Sequence, residues 1–114
     1  MVFLVTRLGA LAARQGRIEE GKTRLAEAVA IAARGLATSP RDLGRLNHAL
    51  NARTVLCNLL IDSGEDDAAL KTSEEAIRMI EALPADLEKS TDLPVSIART
   101  YDLAAKLETR FGRA

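Results

Sequence analysis

The stretch Leu8-Gly9-Ala10-Leu11-Ala12-Ala13-Arg14-Gln15-Gly16 recurs in register as Leu56-Cys57-Asn58-Leu59-Leu60-Ile61-Asp62-Ser63-Gly64 and again as Ala104-Ala105-Lys106-Leu107-Glu108-Thr109-Arg110-Phe111-Gly112. The three copies stand 48 residues apart. Downstream of the first two, Ala28-Val29 and Ala76-Ile77 keep the same register. A fixed period in the range of roughly 20 to 50 residues marks an array of stacked units rather than one closed core.

Working outward, the residues between the copies read as helix. Apolar residues make up 47% of the 114 residues while aromatics make up 3%, so the core must be built from leucine, alanine, isoleucine and valine. Alanine, leucine, arginine and glutamate all enter helices at little cost. The breakers Ser39-Pro40, Ser63-Gly64 and Leu83-Pro84 fall between apolar runs and separate the helices.

Five helices are expected. The first runs from Val2 to Arg14 with Phe3, Leu4, Leu8, Leu11 and Ala12 on its inner side, and ends at Gly16. The second spans about 18 to 37, with Leu25, Ala28, Val29 and Ala32 inward. The third is expected to start on Ser39 as N-cap with Pro40 at its first position and to stop near Asp62. The fourth covers about 66 to 82. A polar loop from Ala85 to Asp92 then leads to a fifth helix carrying Ile97, Tyr101, Ala104, Leu107 and Phe111, with Pro94 in its first turn. Helices one and two form a first unit, about 2–38, helices three and four a second, about 41–84, and the fifth a half unit, about 93–112.

Small residues at Gly9, Gly21, Ala28, Cys57, Ala69 and Ala76 would let helix backbones approach closely. Ala76→Leu is therefore expected to overpack its site. The competing reading is a compact helical bundle in which the 48-residue echo is coincidence or an old duplication.

These positions resemble the tetratricopeptide repeat. Leu8-Gly9, Gly16, Ile18, Gly21, Leu25 and Ala28 match its pattern in the first unit, and Leu56-Cys57, Gly64, Asp66, Ala69, Ser73 and Ala76 stand at the same places in the second. Val5 and Arg53 replace the usual first aromatic, Asp66 replaces an apolar residue, and the closing proline is shifted to Pro84. The long period is similar to variants in kinesin light chains and in arrays attached to bacterial signalling kinases and regulators.

The resemblance implies an all-α, right-handed α-solenoid of two and a half antiparallel helix pairs that works as a protein-interaction scaffold or regulatory module. It also implies a concave groove lined by the first helix of each pair. Carried over by position, the groove shows Thr6 and Arg14, then Asn51, Asn58 and Asp62, then Arg99, Lys106 and Arg110. The carboxylate clamp that some members use on chaperone tails needs a lysine and an asparagine where Thr6 and Ala10 stand, so the resemblance stops short of that subfamily. Two alternatives stay open: a homo-oligomerisation module, as a homodimer or an end-to-end chain, and a sensor of a small ligand or peptide.

Reactive chemistry is not expected. One histidine and one cysteine, nine residues apart on a single helix, cannot converge, so neither an enzyme nor a cofactor is predicted. His48 has no companion ligands for a metal. Asp62, Glu65, Asp66 and Asp67 lack the alternating oxygen ligands of a calcium loop and suit a helix start instead.

A formal net charge of zero argues against a nucleic-acid partner. Residues 1–60 carry nine Lys/Arg against four Asp/Glu while residues 61–114 carry seven against twelve, a split of +5 and −5. No apolar run approaches the roughly 18 residues of a membrane span, and a lone cysteine suits a reducing compartment, so the cytoplasm is the expected location. The abrupt ends suggest a piece of a longer protein, whose further repeats would cover the terminal helices.

Overall fold

A computed structural model describes residues 2–39, 42–83 and 94–110. Five helices occupy these residues: α1 Val2–Arg14, α2 Ile18–Thr38, α3 Leu43–Asp62, α4 Asp66–Glu81 and α5 Pro94–Arg110. The described residues contain no strand. The expected loop from Ala85 to Asp92, the Pro40 position and the Phe111 side chain lie outside them.

Each helix packs on the next. In addition α1 touches α3, and α3 touches α5. The odd-numbered helices thus form one layer, with α2 and α4 behind it. The slab measures 39 × 36 × 20 Å, and its thin dimension is two helix diameters of roughly 10 Å.

The turns between paired helices are built twice in the same way. After α1, the Gly16 amide donates to the Ala13 carbonyl at 3.1 Å and the Arg17 amide to Ala12 at 2.9 Å. After α3, Gly64 donates to Ile61 at 3.1 Å and Glu65 to Leu60 at 2.9 Å. This hydrogen-bond pair closes a helix through a left-handed residue. Gly16 and Gly64 supply it with φ of +83° and +79°.

Close approach is also repeated. A Cβ at Gly21 would stand 3.0 Å from the Gly9 carbonyl oxygen, and one at Gly9 would stand 2.8 Å from Cγ of Leu25. The residues 48 positions on are Cys57 and Ala69, both buried, and there the thiol donates to the Ala69 carbonyl at 3.2 Å. Burial pushes the Cys57 thiol up to about 11. Ala28, Ala69 and Ala76 are buried with Gly21, as the repeat register requires.

Three expectations fail. Leu4, Leu8 and Leu11 are exposed, and α1 turns Val5, Gly9 and Ala12 inward. Arg7 and Arg14 share one side of α1, and the side opposite them carries Val5, Gly9 and Ala12; leucine spacing alone misses this direction, which the charges set and the glycine at the crossing with α2 reinforces. Tyr101 is exposed as well. It occupies the position of Val5 and Arg53, which face the second helix of their units, and among the described residues no helix follows α5. Finally, Ser39 does not cap α3. Its amide donates back to Gly35 at the end of α2, and Asp42 caps α3 by accepting from the Arg45 amide at 3.1 Å. A free carboxylate one residue before the helix outcompetes a hydroxyl further upstream.

Candidate functional site

Because α1, α3 and α5 lie side by side in one layer, their outward faces border a shared furrow. Two hollows run along it. The first, about 490 Å³, lies between α1 and α3, where Thr6, Arg7, Leu8, Leu11 and Arg14 meet Asn51 and Val55. The second, about 290 Å³, lies between α3 and α5 and is bounded by Asn51, Thr54, Val55, Asn58 and Arg99. Asn51 and Val55, one helical turn apart on α3, belong to both. They join the hollows into one groove across the three helices.

The groove's polar groups differ in readiness. The Thr54 hydroxyl is engaged with the Leu50 carbonyl at 3.0 Å, which leaves recognition to amides and guanidiniums. Arg14, Asn58 and Arg99 are exposed and Asn51 is half-buried. Thr6 is nearly covered, at 4% exposure, and forms wall rather than rim. No residue lining either hollow carries a carboxylate. In a chain with equal numbers of acids and bases, that gives the groove a positive bias. The apolar floor of Leu8, Leu11 and Val55 can take side chains, while the amides can pair with a peptide backbone.

Of the residues expected to line the groove, the structure brings together Thr6, Arg14, Asn51, Asn58 and Arg99. Lys106 lies in a separate shallow hollow of α5 and is held by Asp102 at 3.1 Å. Asp62 is exposed at the end of α3 and lines neither hollow. The Arg110 side chain lies outside the described residues. Arg7, Leu8, Leu11 and Val55 were missed, although Arg7 follows Thr6 on the same helix and Val55 stands four residues beyond Asn51; Leu8 and Leu11 were expected to face inward.

Away from the groove, Arg53 is half-buried on α3 with no hydrogen-bond partner for its Nε. Desolvation lowers its pKa, against the pull of Glu75 on α4. Lys22 on α2 pairs with Glu19 at 2.8 Å and reaches Glu65 in the α3–α4 turn, tying the two units together. Among the described residues no group of three metal-binding side chains occurs. No helix there is long and apolar enough to cross a membrane. Comparison with family models, curated proteins and solved structures gives no match for this chain.

Proposed function

We propose that this chain is a tetratricopeptide-like interaction module whose α1–α3–α5 groove binds an extended, acidic segment of another protein. The observation that carries the reading is the groove's continuity across three helices with Arg7, Arg14 and Arg99 on its sides and no carboxylate among its lining residues. A groove open along its length suits a strand of peptide, whose backbone Asn51 and Asn58 would hold while the arginines meet its acids.

Fluorescence anisotropy with an unstructured glutamate-rich peptide tests it. Binding is expected to weaken as salt is raised, and a lysine-rich peptide of equal length should not bind. The paired change Arg14→Glu and Arg99→Glu should weaken binding about tenfold or more. Equal binding of the acidic and basic peptides, or no effect of the paired change, contradicts the reading.

A further inference from the structure

The period that built the fold also shows what one bare face lacks. Leu4, Leu8 and Leu11 form a stripe on α1 and are 58%, 44% and 49% exposed. Forty-eight residues on stand Ala52, Leu56 and Leu59, and 48 further Thr100, Ala104 and Leu107. Four of these six are buried and the other two are half-buried. In both later places the cover is the preceding helix: Ala52 packs in a cluster with Ala28 and Val29 of α2, and Leu107 packs with Ala69 and Leu70 of α4. Helix α1 has the same kind of face with nothing on it among the described residues.

Charge distinguishes between the candidate covers. α1 contains Arg7 and Arg14 and no acid. An isologous pairing of this stripe with itself would bring arginines toward arginines. On the opposite part of the molecule, α4 and α5 border a groove with Leu70, Ile77 and Ala104 in it and Glu74, Glu81 and Glu108 around it, against one arginine, Arg78. An apolar ridge with basic flanks matches an apolar furrow with an acidic rim.

We propose that the Leu4–Leu8–Leu11 ridge of one copy seats in the α4–α5 groove of a second copy, so that the protein assembles head to tail. The contact is heterologous, and such contacts generate rings or open chains rather than closed pairs. The α4–α5 seat shares no residue with the α1–α3–α5 hollows, but the ridge does: Leu8, Leu11 and Arg14 also line the first hollow, so a bound peptide and a second copy compete for them.

Sedimentation velocity on the full chain over a wide range of concentration tests it. At low salt the average mass should rise past two copies as concentration increases, and high salt should reverse the rise. Leu4→Glu should weaken association about tenfold or more by putting a charge in the ridge. An acid in the first turn favours the helix, so the variant keeps its fold, which circular dichroism checks. Glu81→Arg should weaken association alone, and mixing it with Arg14→Glu copies should restore a contact between unlike copies. A monomer at every concentration, a mass that stops at two copies, or association untouched by Leu4→Glu and Glu81→Arg overturns the proposal.

Discussion

The crossing of α1 and α2 has room for only a hydrogen at Gly21, because a methyl group there would press on the Gly9 carbonyl oxygen and on Ala13. Gly64 poses the opposite problem. A Cβ would meet nothing within 4 Å, yet φ is +79°, where a side chain clashes with its own backbone. Gly64→Ala is therefore expected to cost about 1 kcal/mol by chemical denaturation, from backbone strain alone. A neutral result would mean that the helix end is not closed through a left-handed residue. Both glycine roles were legible in the sequence. Gly16 and Gly64 follow apolar runs at the fixed period, and Gly9 and Gly21 fall where the resemblance places small residues. The capping of α3 was less legible, because Ser39 and Asp42 both satisfy the local rule and only the path of the chain after α2 decides between them.

At the scale of the helix, the leucines of α1 and α2 separate two kinds of apolar residue that composition cannot tell apart. Leu25 is fully buried and lies over Gly9, whereas Leu11 is half in water. Leu25→Ala should destabilise by roughly 2–5 kcal/mol, while Leu11→Ala should fall within about 0.5 kcal/mol in dilute protein. Equal losses would restore the inner stripe of Leu4, Leu8 and Leu11 that leucine spacing alone predicts. The failure of that prediction has a plain cause: it follows the leucines and leaves out the charges, and Arg7 and Arg14 set the solvent side of α1 opposite Val5, Gly9 and Ala12. In α4 apolar and charged residues segregate, and Ala69, Leu70, Ala76 and Ile80 are all buried. Ala76 is 2% exposed in a cluster with Leu50 and Ile80, so Ala76→Leu is expected to cost on the order of 1–3 kcal/mol by overpacking, as a denaturation midpoint would show.

Across the whole molecule, the two units are joined by apolar packing and by the Lys22 contact with Glu65. Lys22, with help from the Ser63 hydroxyl at 2.9 Å, holds the Glu65 carboxyl below the usual carboxylate range. A carboxyl depressed in the folded state contributes stability at neutral pH and loses it as pH falls through its folded value. Glu65→Gln should thus lower stability near neutrality, and the gap to the parent protein should close in acid. A gap that stays constant with pH would show that Glu65 does not titrate against Lys22.

The groove was partly legible at this scale too. Asn51, Asn58 and Arg99 followed from the resemblance, but the absence of any lining carboxylate emerged only once three distant helices were laid side by side. The most direct test of the groove is an amide chemical-shift map of isotope-labelled protein titrated with an acidic, unstructured peptide. Perturbations should concentrate at Arg7, Arg14, Asn51, Asn58 and Arg99 and leave α2 and α4 unmoved. Perturbations centred on α2 and α4, or none at saturating peptide, would contradict the account.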